Sequence, residues 1–245
     1  MYVANFLISD INVYNKNKEL ICVIKDKLFR NLGGMGFNNN ILYALNGLPI
    51  QDKESEYYGL YIMFKIILSI NDLNNITYEV SVFCTNTLSA PLFICFDQFN
   101  NGYVTNIFNN TISKINMTTG DAVVYIDESQ GLIRPRGIII DEELNLYVSG
   151  GEVSTGIFYI KKIDINKVIT LYTNKNLNSP RGITIDKEGD KSLYIGNLGS
   201  TLVKIIRNKY IFNVENNILE KGDNIISIKD VTDNLIIDTF VLNVL

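Results

Sequence analysis

One phrase is written twice in this chain: Arg134-Pro135-Arg136-Gly137-Ile138-Ile139-Ile140-Asp141, then Ser179-Pro180-Arg181-Gly182-Ile183-Thr184-Ile185-Asp186. Each copy leads through a short polar turn into Leu-Tyr-(Val/Ile), at Leu146-Tyr147-Val148 and Leu193-Tyr194-Ile195. The offset is about 45 residues, and self-similarity at that period restricts the fold to a solenoid, a propeller or an array.

Weaker copies extend the pattern. Ser89-Ala90-Pro91-Leu92-Phe93-Ile94-Cys95-Phe96-Asp97 leads into Gly102-Tyr103-Val104, and Leu32-Gly33-Gly34-Met35-Gly36-Phe37 leads into Ile41-Leu42-Tyr43-Ala44. Ile225 to Asp230 leads into Leu235-Ile236-Ile237, and the opening Tyr2-Val3-Ala4-Asn5 matches only the second half of the unit. Two further β-branched and aromatic runs lie between landmarks, as in Thr111–Ile115 and Ala122–Ile126. Four such runs per repeat, separated by Gly, Asn and Asp turns, predict a four-stranded antiparallel blade. No segment sustains a capped 3.6-residue apolar period, so almost no helix is expected. Radial repetition of such sheets is a β-propeller.

Composition narrows the chemistry. The chain of 245 residues is 47% hydrophobic and 20% charged, which makes it globular, and it reads as a single domain over 1–245. It contains no histidine, which removes the usual general base, the Ser-His and Cys-His pairs and imidazole metal sites. The net charge of −4 disfavours a general nucleic-acid binder. Cys22, Cys84 and Cys95 lie in apolar runs with no paired spacing and read as buried reduced thiols. Strand pattern from the first residues and the lack of a long apolar stretch predict a soluble protein of a reducing compartment, the cytoplasm, with no leader and no membrane contact. Asn, Ile, Lys and Tyr are abundant and Arg is scarce, as an AT-rich genome encodes: a protist, a low-GC bacterium or a large DNA virus.

Pro-Arg-Gly-Ile-Xaa-Ile-Asp, a turn, then Leu-Tyr-(Val/Ile) resembles the NHL repeat and the related gluconolactonase (SMP-30-like) propellers. The resemblance runs from Leu132 to Ile206 and, more loosely, from Leu88 to Ile126. It implies an all-β propeller of four-stranded antiparallel blades. The motif count favours five blades, with six as the alternative and the two ends sharing a blade. Glycines beside the crowded axis leave room for close backbone approach. The recurring Asp97, Asp141 and Asp186 are expected to bond amides of the turn that follows.

Loops from fourth to next first strand, and from second to third strand, emerge on one face around the axis, where propeller ligands converge. That face is expected to carry Arg136 and Arg181, at equivalent positions of adjacent blades, as a grip for an anionic group. It also carries the longest departure from the repeat, Leu48 to Tyr58, whose Asp52, Glu54, Glu56, Tyr57 and Tyr58 suit partner recognition. The gluconolactonase resemblance implies a carboxylate-and-amide cage for calcium or another divalent metal, for which Glu152, Asn106 and Asn197 are available. Lys161-Lys162 and Lys204 with Arg207 are expected as solvated edges. The leading expectation is a non-catalytic propeller without a cofactor that binds a protein partner through this loop face. The alternative is a metal-dependent lactonase of the gluconolactonase type, and the second alternative is single-stranded RNA binding. The sequence leaves the oligomeric state open.

Overall fold

In the computed structural model, the described residues are all but 6–7, 71–75, 187–190, 199–201, 206–209, 215–221, 231–235 and 245; from 206 onward only backbone strands are described. They fall into two compact units, Met1–Thr184 with Ile195–Val203, and Ile185–Tyr194 with Lys204–Leu245. The chain forms a five-bladed β-propeller of antiparallel meanders. Blade 1 comprises β1 (Tyr2–Asn5), β2 (Asp10–Tyr14) and β3 (Leu20–Ile24); blade 2 comprises β4 (Leu32–Asn38), β5 (Ile41–Asn46), β6 (Met63–Ile70) and β7 (Ile76–Cys84). Blade 3 is β8 (Pro91–Phe96), β9 (Asn101–Asn106), β10 (Thr111–Asn116) and β11 (Ala122–Ile126). Blade 4 is β12 (Ile138–Ile140), β13 (Leu146–Glu152), β14 (Ile157–Ile163) and β15 (Ile169–Thr173). The strands β16 (Ile183–Ile185), β17 (Leu193–Gly196) and β18 (Leu202–Ile205) make blade 5, with residues drawn from both units. Among the described residues the only helical turn is a 3-10 turn at Glu128–Gln130.

The second unit holds a separate three-stranded antiparallel sheet, β19 (Tyr210–Val214), β20 (Gly222–Asp230) and β21 (Ile236–Val244). β1 occupies the place of a second strand, as the opening residues predict. Among the described residues the sheet of blade 1 consists of β1, β2 and β3.

Alternation along the second strands explains why the blades need one another. On β5, Leu42 and Ala44 pack with Ile11, Val13 and Ile24 of blade 1, while Tyr43 and Leu45 pack with Ile94, Val104 and Ile115 of blade 3. A third cluster joins Tyr103, Ile112 and Ile126 of blade 3 to Ile138, Leu146 and Val148 of blade 4. Sheets covered on both faces read as nearly continuous apolar runs, and β5, β9 and β13 are buried along almost their whole length. Cys84 and Cys95 are buried and Cys22 is half-buried, all as free thiols. Burial pushes the thiols of Cys22 and Cys84 up from the usual range.

Inner strands approach closely, and two glycines make this possible. A Cβ on Gly34 would lie 2.9 Å from Phe93 Cα, and one on Gly137 would lie 2.9 Å from Ile183 N and press on the Arg181 carbonyl. At Gly182, the equivalent of Gly137, no atom of the described residues lies within 4 Å, so crowding among them does not explain that glycine. The expected Asp turns are present at Asp97 and Asp141, and the turn after Asp186 lies outside the described residues. Asp97 Oδ1 accepts from the amides of Phe99 and Asn101 at 2.9 Å, and Asp141 Oδ1 accepts from that of Asn145 at 2.8 Å. Lys161 departs from the solvated edge expected of it. It lies on the third strand of blade 4, donates to Gly131 O at 2.6 Å and sits 4.8 Å above the Tyr159 ring, and burial lowers its pKa. Lys204 is exposed on β18, and Arg207 lies outside the described residues.

Gly137→Ala is expected to destabilise the protein by roughly 1–3 kcal/mol through overpacking against backbone. Gly182→Ala is expected to be neutral or stabilising. Urea melts of the two variants check the contrast; equal effects would remove the close-approach argument.

Candidate functional site

The face formed by the second-to-third-strand loops and the entry segments of the inner strands is held by a device repeated from blade to blade. An asparagine ends the second strand and clamps the incoming entry segment with both ends of its amide. Asn46 Nδ2 donates to Leu28 O and its Oδ1 accepts from the Arg30 amide, both at 2.8 Å. Asn106 makes the same pair with Thr87 O (3.2 Å) and the Ser89 amide (3.0 Å), and Asn197 with Asn176 O (2.9 Å) and the Asn178 amide (3.1 Å). Each asparagine thereby bonds one carbonyl and one amide of the entry segment, and Ser113 Oγ shares the Thr87 carbonyl with Asn106.

Blade 4 has Gly150 at this position, and another residue does the work. The Tyr159 ring fills the space where a Gly150 side chain would stand. Its hydroxyl donates to Ile133 O at 2.9 Å and accepts from the Ile133 amide at 3.0 Å. In blade 1, Asn5 bonds instead to the carboxylate of Asp10.

Just past the clamp, each described inner strand is entered through a non-glycine residue in the left-handed region: Asn31 (φ 45°), Ala90 (φ 49°), Arg134 (φ 46°) and Ser179 (φ 46°). Loops of the preceding blade secure two of them, through Ser9 Oγ to the Asn31 amide and Asn110 Oδ1 to the Arg134 amide, both at 2.8 Å. Two residues beyond the kink comes Gly33, Leu92, Arg136 or Arg181 in blades 2 to 5. The carbonyls of the two arginines are fixed by buried or part-buried hydroxyl bonds from the preceding blade, Thr105 Oγ1 to Arg136 O at 2.5 Å and Ser149 Oγ to Arg181 O at 3.0 Å.

The equivalent arginines differ in setting. Arg181 is exposed, whereas Arg136 is only 5% exposed and donates from Nη1 to Ser179 Oγ at 2.7 Å. The Nε of Arg136 is buried without a partner, and no carboxylate is paired with it among the described residues. Burial lowers its pKa, and the charges of Arg181 and Arg134 lower it further. The repeat motif points to Arg136 and Arg181. It does not single out Arg134, Ser179 or Tyr159, which fold places beside them.

The other candidates are dispersed. Leu48 to Tyr58 is an ordered loop in which Ile50 is buried in the core between blades 1 and 2 and Tyr57 packs on it. Asp52, Glu54, Glu56 and Tyr58 are exposed, with Asp52 Oδ1 capping the Glu54 amide at 3.1 Å. A cleft of about 570 Å³ is walled by Ile8, Asp10, Lys25, Asp26, Phe29 and Arg30. Asn106 also donates to Thr111 Oγ1 and Ser113 Oγ, so its amide is fully engaged in the clamp. Glu152 is half-buried at the end of β13. Among the described residues no three His, Cys, Asp or Glu side chains gather to hold a metal ion. No helix is long and apolar enough to cross a membrane.

Solved structures share this architecture. A chain of a nidogen/laminin complex is 15% identical over 94% of this chain and 89% of that one, with a TM-score of 0.57. A gluconolactonase from Xanthomonas campestris is 10% identical over 80% of this chain and 65% of its own, with a TM-score of 0.58. A virginiamycin B lyase from Staphylococcus aureus, solved with quinupristin, is 16% identical over 93% and 73%, with a TM-score of 0.51. The likeness is one of fold, the β-propeller. No family model matches the chain, and no curated protein matches its sequence.

Tyr159→Phe is expected to cost about 1–3 kcal/mol at neutral pH, because it orphans the Ile133 amide, while the Ile133 carbonyl keeps the bond from the Gly151 amide. Burial, first of all, raises the Tyr159 phenol to about 12. Its stabilising contribution is therefore complete below the unfolded value near 10 and is lost as pH rises from about 10 to 12. Denaturant melts at pH 8 and pH 11 should show a smaller alkaline loss in the variant than in the wild type.

Proposed function

We propose that this propeller is a non-catalytic binding module that engages a protein partner through its loop face. One observation carries the reading: the second-to-third-strand loop of every blade exposes a large apolar side chain. These are Ile8, Tyr58, Phe108, Val153 and Leu198, each at least half exposed. Scattered exposed apolar residues need no explanation, but one per blade on a single face forms a contact surface. The asparagine clamps fix the neighbouring entry segments of blades 2, 3 and 5, and an edge-to-face contact of Tyr61 and Phe108 at 6.5 Å steadies the tip in blade 3. A partner therefore meets a preorganised surface and incurs little ordering entropy. Similarity to a chain of a nidogen/laminin complex supports the reading at the level of fold.

Fully burying one such side chain is worth roughly 1.5–3 kcal/mol. The triple variant Phe108→Asp, Val153→Asp, Leu198→Asp is therefore expected to weaken a captured partner at least tenfold. Val123→Asp, on the exposed outer strand β11, is expected to leave it bound. Partner retention by the folded triple variant, measured by surface plasmon resonance, would sink the proposal.

The absence of catalysis is tested separately. Because the amides of Asn106 and Asn197 clamp loops, the melting midpoint is expected to be the same in EDTA as in millimolar calcium, manganese or zinc. Occupation of a tight site at a thousandfold excess adds about 4 kcal/mol, so a clear rise would restore the metal-dependent lactonase.

A further inference from the structure

We propose that Arg136, with Arg181 and Arg134 beside it, forms a binding site for a phosphate-type dianion at the entry of the inner strands of blades 4 and 5. The inference is independent of protein docking, since a small anion would occupy the site by itself.

Four observations converge on it. Arg136 is a buried cation whose guanidinium has one hydrogen-bond partner among the described residues, the neutral hydroxyl of Ser179. Its Nε is orphaned. A buried charge is ordinarily paired, and one left unpaired destabilises the free protein. The charged side chains that act on it are Arg181 and Arg134, both cations, so the surroundings add to the unbalanced charge. Three guanidinium groups in one neighbourhood call for a doubly charged oxyanion with several acceptor oxygens, and their planar forks match phosphate geometry.

The third observation is how the backbone is held. Where the second strand carries a hydroxyl just before the clamp position, the next blade carries arginine at the entry: Thr105 with Arg136, and Ser149 with Arg181. Where that residue is apolar, the entry residue is uncharged: Leu45 with Leu92, and Ala4 with Gly33. Thr105 and Ser149 are positioning residues for the two arginines. The fourth observation is distribution. The chain has 17 lysines and five arginines, yet Arg30, Arg134, Arg136 and Arg181 all lie in entry segments of inner strands. A chain that otherwise uses lysine for positive charge keeps the bidentate donor almost entirely for this rim.

Calorimetric titration of the full chain with inorganic phosphate, phenyl phosphate and acetate, at constant ionic strength in chloride, tests the proposal. A phosphate compound is expected to bind at least tenfold more tightly than acetate, and whichever phosphate binds better tells whether the group arrives free or as an ester. Arg181→Gln, an exposed position, is expected to keep the wild-type melting temperature and lose at least tenfold in phosphate affinity. Arg136→Met is expected to melt at or above the wild type in phosphate-free buffer, and to lose the phosphate-induced rise in melting temperature. Equal affinity for acetate, phosphate binding unchanged by Arg181→Gln, or an Arg136→Met protein that melts well below wild type without anion would each overturn the assignment.

Discussion

No blade of this propeller can bury its own apolar residues, because its side chains alternate between two neighbours. Leu42 and Tyr43 are adjacent in sequence and belong to different inter-blade cores. Removing one residue from β5 would exchange the two faces and unpack both interfaces at once. Stability thus resides between repeats, as nearest-neighbour terms, and the close contact of inner strands at Gly34 and Gly137 follows from the same packing.

On that frame the loop face is made rigid by polar chemistry. Burying the backbone of an entry segment demands a partner for each amide and carbonyl. The asparagine amide, with one donor group and one acceptor, supplies both from one side chain, and the Tyr159 hydroxyl does so in blade 4. The clamps occupy groups that a metal cage in this fold would draw on. The same asparagine position thus stabilises loops, while the exposed apolar tips and the arginines remain available for recognition.

Much of the fold is legible in the repeated phrase. The period, the strand runs and the Asp turns all predict a propeller of about five blades, and Asp97 and Asp141 make the amide bonds expected of them. The pairing of Arg136 with Arg181 is legible too, because register places them at equivalent positions. The difference between them is not, since it depends on which residue of the adjacent blade lies across the interface. Ser179 belongs to the next repeat, and no local pattern announces that it receives the Arg136 guanidinium. Tyr159 substitutes for an asparagine from a different strand, a compensation invisible to any comparison of repeats position by position. Lys161 reads as a solvated strand residue yet lies over the Tyr159 ring, because its strand is interior to the sheet.

The sequence by itself determined the repeat period, the strand-rich blade, the turn chemistry and the lack of histidine-based catalysis, because these depend on residue type and short-range spacing. Only the tertiary structure decided which strands join in each sheet, such as the three of blade 1 among the described residues. It also decided that Asn106 and Asn197 clamp backbone, and that one of two equivalent arginines is buried without a counter-charge among the described residues. Those outcomes depend on which groups meet across blades more than 15 residues apart in the chain, such as Asn106 with Thr87 and Arg136 with Ser179. Burial and hydrogen-bond satisfaction are fixed there by packing, which local pattern does not encode.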